Sequence, residues 1–107
     1  MKERILHLTI KKKWFDMIAS GEKKSEYREL KDYWKKRLEE TVYEPDYDCV
    51  SDFFKEFDAV KFTNGYSKNA PSVLVEWKGT SIGEGRNKWG ANIGEKYYCI
   101  HLGKILK

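Results

Sequence analysis

Apolar and polar residues change their spacing several times along this chain. Between Arg4 and Thr9 the apolar positions Ile5, Leu6 and Leu8 predict a first strand. From about Ile10 to Ser20 the spacing lengthens. Trp14 and Ile18 stand four apart with Phe15 and Met17 beside them, which predicts a helix with one broad apolar face. Thr9 is a candidate cap for its start, and Gly21 stands where a C-terminal helix glycine belongs. A strand is then expected from Lys23 to about Glu29, but its pattern is unusual. Lys24, Glu26 and Arg28 fall on one face and Lys23, Ser25 and Tyr27 on the other, so neither is a core face. A second helix is expected from about Leu30 to Glu40, with Leu30, Trp34, Leu38 and Thr41 on one stripe that reads as core packing.

The segment from Thr41 to Asp58 departs from these patterns. Glu44-Pro45-Asp46-Tyr47-Asp48 is turn-like, and Ser51 to Phe57 reads as a short helix capped by Ser51. Strand character returns at Ala59 to Thr63 and is followed by the turn signal Asn64-Gly65 and a polar loop to Pro71. Ser72 to Lys78 is the clearest strand, with Val73, Val75 and Trp77 on one face and Glu76 on the other. A glycine-rich connection spans Gly79 to Gly94, and a last strand runs from Lys96 to Leu102. Helices early and strands late predict an α+β fold, with a small mixed or antiparallel sheet curled toward a barrel. About five or six strands and two or three flanking helices are expected, in a single domain over residues 1–107.

Charge adds structure to this picture. The net charge is +4, but it is unevenly spread. Residues 1–37 hold 12 Lys/Arg against 6 Asp/Glu, residues 38–58 hold 1 against 8, and residues 59–107 hold 8 against 3. Two basic segments therefore flank an acidic excursion at about 42–57, whose carboxylates lack metal-loop spacing. If the basic segments meet in space, they form a surface suited to phosphate; otherwise they serve solubility. The 4 Trp and 7 Tyr suit either base stacking or a β-rich core. Cys49 and Cys99 are far apart and lack metal-site spacing, so reduced thiols in a cytoplasmic protein are expected. The start Met1-Lys2-Glu3-Arg4 is not that of a secretory leader, and no apolar run reaches membrane-spanning length. No cofactor or metal is expected.

Candidate chemistry gathers in the charged strand and before it. Lys11, Lys12 and Lys13 open the first helix, where the helix end is already partly positive. They either help to hold an anion there or are simply solvated. The charged strand either lines a cleft or is a solvated edge strand guarded by charge. The Gly79–Gly94 connection lacks the lysine of a phosphate-binding P-loop and does not fit GxGxxG. His7 and His101 would be neighbours only if the first and last strands meet, and ordinary strand histidines are the simpler reading.

Gly21-x-Lys23-x-x-Glu26-x-Arg28 after the first helix resembles the hallmark GxKxxExR of the ASCH domain, the activating-signal-cointegrator homology family. Asn64-Gly65-Tyr66, the Val75-Glu76 strand and the segment from Gly83-x-Gly85 to Trp89-Gly90 are also similar to that family, so the resemblance covers nearly the whole chain apart from the acidic excursion. It implies a PUA-like β-barrel with a cleft beside the motif that holds RNA or a nucleotide-like ligand. Lys23 and Arg28 would contact phosphates or base-edge acceptors, and Glu26 would accept from a base or orient Arg28. Tyr66 and Trp89 would offer stacking faces, and Lys11, Lys13, Glu76 and Arg86 would complete the ligand-binding set. The resemblance also implies an alternative: hydrolysis of acetylcytidine, as by small bacterial amidohydrolases of the wider family, or of RNA. In that case Lys23 and Glu26 would be catalytic. The amidohydrolases carry Thr where this chain has Glu26, and Glu84 or Glu76 are the candidates for their further glutamate.

Overall fold

A computed structural model describes residues 3–107; Met1 and Lys2, read above as the start of the chain, lie outside the described residues. The elements in order are β1 (Ile5–Ile10), α1 (Lys12–Ala19), β2 (Ser25–Arg28), α2 (Asp32–Leu38), β3 (Glu39–Glu44), β4 (Cys49–Phe54), β5 (Ala59–Asn64), β6 (Ser72–Glu84) and β7 (Lys96–Ile105), with a 3-10 turn at Asn87–Trp89. The fold is α+β, as the residue pattern predicts. Five strands form a curled half-barrel sheet in the order β1-β5-β6-β7-β2, and β3 and β4 form a separate hairpin. No helix among the described residues is long and apolar enough to cross a membrane.

The alternation of β1 turns Leu6, Leu8 and Ile10 inward, and β5 beside it contributes Val60 and Phe62. These two strands run parallel, whereas β5–β6, β6–β7 and β7–β2 are antiparallel. Phe15 and Ile18 of α1 and Leu38 at the end of α2 close the core over Tyr98, Ile100 and Leu102 of β7. Leu38 is fully enclosed, and burying such a side chain stabilises the fold by about 1.5–3 kcal/mol.

The curl comes from β6. Its first half pairs with β5 and its second with β7, and the register shifts between Val75 and Trp77 and again between Trp77 and Gly79. Gly79 has φ 132°, a value that side chains resist. A bulge of this kind bends a strand without ending it. The glycine-rich connection expected from Gly79 therefore begins later: the strand continues to Glu84.

The acidic excursion is a hairpin, and the helix expected over Ser51–Phe57 does not form. Val42, Tyr43 and Val50 favour extended backbone, and Ser51 pairs with Val42 across the ladder instead of capping a helix. Asp48 sits at φ 47° in the turn. Thr41 donates to Asp52 at 2.6 Å across the strands. The hairpin is seated by Tyr98, which donates to Glu39 and packs edge-on against Phe54 with ring centres 6.3 Å apart. Other boundaries shift slightly. Thr9 belongs to β1, α1 starts at Lys12 with Lys11 as a cap that makes no side-chain hydrogen bond, and Leu30 lies exposed ahead of α2. β5 and β6 separate β1 from β7, so the first and last strands do not meet and the pairing of His7 with His101 does not arise. Cys49 is exposed and Cys99 buried, and both are free.

Burial, reinforced by the Glu39 carboxylate, pushes the Tyr98 phenol from about 10 up to about 12. A phenol raised in the folded state contributes stability below its unfolded pKa and loses it as pH climbs through the folded one. Urea denaturation between pH 9 and 12 should therefore show a loss of roughly 2–3 kcal/mol beyond that of Tyr98→Phe, whose curve lacks this component.

Candidate functional site

Strand β2 forms one edge of the sheet, as a charge-guarded strand would, yet its charges are largely withdrawn from solvent. Lys23 is 2% exposed and Glu26 4%. Gly21, at φ 85°, ends α1, and the N–H of Lys23 then bonds the Met17 carbonyl at 2.9 Å, which turns the lysine inward. Lys23 Nζ donates to Glu26 Oε1 at 2.7 Å, and Arg28 Nη1 donates to Glu26 Oε2 at 2.6 Å. One carboxylate thus holds two cations, leaving a net positive charge in a mostly dry setting.

Aromatic rings enclose this chain of charges. The Lys23 ammonium lies 4.5 Å from the Trp14 ring centre and 5.9 Å from that of Tyr27. The Arg28 guanidinium lies 5.0 Å from the ring centre of Trp34 and also donates to the carbonyls of Tyr27 and Thr9. Cations held over ring faces gain from the ring quadrupole, more so away from water. Burial pulls the Lys23 pKa below its usual value, Glu26 opposes the shift, and Arg28 adds to it. The charged ammonium therefore costs folding free energy at neutral pH, and that cost is relieved as pH rises through the folded pKa toward the unfolded one.

In front of Glu26 and Arg28 opens a cleft of about 790 Å³. Thr9, Ile10, Lys11 and Lys12 form one wall, Trp34 and Arg37 of α2 another, and Asn64 and Tyr66 the rim. The start of α1 lies on this wall, with no acidic residue in its first turn and no side-chain cap. Uncapped N–H groups beside lysines favour an anion. Arg37 is held by the Tyr33 hydroxyl at 3.0 Å and the His7 carbonyl at 3.1 Å, and lies 5.5 Å from the Trp34 ring centre.

The structure brings Lys23, Glu26 and Arg28 together and sets Lys11 and Tyr66 around the same cleft, with Tyr66 93% exposed. Lys23 stands behind the cleft surface, under Trp14. Lys13 does not line the cleft; its ammonium lies 4.7 Å from the Trp14 ring centre. Glu76 sits elsewhere on the sheet, opposite Ala59, and accepts from the Lys104 N–H. Arg86, Trp89 and Glu84 line a separate cavity, and Trp89 is 7% exposed, so it offers no stacking face to the cleft. The residues that sequence reasoning missed are Tyr33 and Arg37; Trp34, read as core, does pack against the core and also lines the cleft. Their spacing held the signal, since Tyr33 and Arg37 stand four apart and Trp34 and Arg37 three apart on one helix surface. No family model, curated protein or solved structure matches this chain.

Glu26→Gln leaves Lys23 buried and Arg28 half-buried without a counter-charge and should destabilise the fold by about 3–5 kcal/mol in urea denaturation. Lys23→Met keeps the Glu26–Arg28 pair and should cost clearly less. Equal losses would show that the carboxylate is not the anchor of the group.

Proposed function

We propose that this protein is an ASCH-like binding module that takes single-stranded RNA or a nucleotide-like ligand in the cleft beside Gly21-x-Lys23-x-x-Glu26-x-Arg28. The observation that carries the reading is Arg28. Its guanidinium is aimed by the buried Glu26 and held 5.0 Å from the Trp34 ring centre where the cleft opens. Arg in such a fixed fork suits phosphate or a base edge. Lys11, Lys12 and the start of α1 would receive the phosphate, and the exposed ring of Tyr66 would stack on a base. The resemblance of the motif to the ASCH hallmark supports the same reading, and two free cysteines fit a reducing cytoplasmic setting.

Hydrolysis of acetylcytidine or of RNA is the second reading, favoured by the lowered pKa of Lys23. It requires the ammonium to reach a substrate, whereas here Nζ is bonded to Glu26 beneath Trp14. Binding is therefore the reading the geometry supports better.

Fluorescence anisotropy with a short labelled single-stranded RNA should show affinity falling with salt, with a log–log slope of about −0.7 per phosphate neutralised. Arg28→Met should weaken binding at least tenfold with an unchanged circular dichroism spectrum. A flat salt response together with full binding by Arg28→Met would sink the proposal, and conversion of acetylcytidine or RNA seen by mass spectrometry would favour the hydrolase.

A further inference from the structure

The alternation of β2 gives it a second working face. Glu26 and Arg28 look onto the cleft described above, whereas Ser25 and Tyr27 line another cavity, of about 430 Å³. Three cations from three parts of the chain surround it: Lys24 before β2, Lys78 on β6 and Arg86 in the loop after β6. None of the three is in an ion pair among the described residues, and Glu84 is the one carboxylate in the lining. Cations that outnumber the carboxylates around a concavity favour an anion there.

The floor of this cavity is fixed. The His101 ring is held on both nitrogens, by Ser25 Oγ at 3.2 Å on Nδ1 and by Ser81 Oγ at 2.8 Å on Nε2. The hydroxyls can each donate or accept, so the ring keeps its place whether neutral or protonated. The loop carrying Arg86 is also pinned. The Arg86 N–H donates to Tyr27 Oη at 3.0 Å, and a Cβ on Gly85 would lie 2.6 Å from Ala91 and 2.7 Å from the Tyr27 ring. The Arg86 guanidinium rests 5.1 Å from the ring centre of Trp89. With this floor and the Arg86 loop already fixed, an anion would have to order only the two exposed lysine side chains, which lowers the cost of binding it.

We propose that this second cavity binds a phosphate group, held by Lys24, Lys78 and Arg86 over Ser25 and His101. The phosphate is either free or part of an RNA strand that also occupies the first cleft; only the latter source rests on the function proposed above.

The two histidines of the chain report the two sites separately, because His7 lines the first cleft and His101 the second cavity. Proton NMR would follow both rings, assigned with His7→Gln, as inorganic phosphate replaces chloride at constant pH and ionic strength. The His101 signals should shift saturably, and Lys78→Ala/Arg86→Ala should weaken that response at least tenfold while Arg28→Met leaves it intact. A His101 ring that does not respond, or that responds equally in the double variant, overturns the proposal, whatever RNA does at His7. If phosphate moves His101 but RNA moves neither ring, the second site stands and the RNA reading of the cleft falls. With a site filled by an RNA strand, a short single-stranded RNA moves both rings; with a site for free phosphate, RNA moves His7 alone.

Discussion

The structure depends on one carboxylate. Glu26 is buried at the sheet edge with a lysine on one oxygen and an arginine on the other. Burying Lys23 and Glu26, with Arg28 half-buried beside them, is expensive, and the expense is tolerable only while each has its partner. Lys23 therefore has to approach from the end of α1, and Arg28 has to stay on the strand face that Glu26 shares. The aromatic rings of Trp14, Tyr27 and Trp34 then exclude water around the group and favour its surplus positive charge. The positions of α1, β2 and α2 relative to each other are set by this small polar assembly as much as by the apolar core.

This arrangement also explains why a strand without a core face is stable. Strand β2 contributes none of the apolar core cluster. It is held by its ladder to β7 and by side chains that work on both sides, with Glu26 and Arg28 on one face and Ser25 and Tyr27 on the other. An edge strand is usually kept soluble and unpaired by exposed charge. Here the charges are turned inward, and they give the edge a defined chemistry.

Much of this was legible in the sequence, for reasons that differ by element. Leu6, Leu8, Val60, Phe62, Val73 and Val75 alternate simply, and they are the inward residues of β1, β5 and β6. Alternation from Lys23 put that lysine on the face opposite Glu26 and Arg28, but the strand starts only at Ser25, and the turn after Gly21 brings Lys23 onto Glu26 instead. The hairpin was not legible, because Ser51 followed by aromatic residues suits a helix cap as well as a ladder, and the choice is made by Tyr98, far along the chain. Gly79 reads as a stop, yet tertiary pairing with β7 carries the strand through it. Trp34 packs against the core as its stripe predicts, but the same ring also meets Arg28 and Arg37, a double role that spacing does not announce. The remoteness of Glu76 from the cleft depended on the curl of the sheet, which local pattern does not encode.

The ladder that holds β2 bears on the order in which the molecule assembles. Ser25 pairs with His101 and Arg28 with Tyr98, so an early strand waits for the last one. On a ribosome, the chain carrying Lys23, Glu26 and Arg28 leaves the tunnel long before the residues that give it a neighbour. Until β7 arrives these charges remain in water, where they are cheap, and they are drawn inside only as the sheet closes. Contacts so distant in sequence slow folding. The dry chamber around Glu26 is thus a late product of synthesis, and a chain cut short before β7 would keep the motif intact in sequence and have no chamber to hold it.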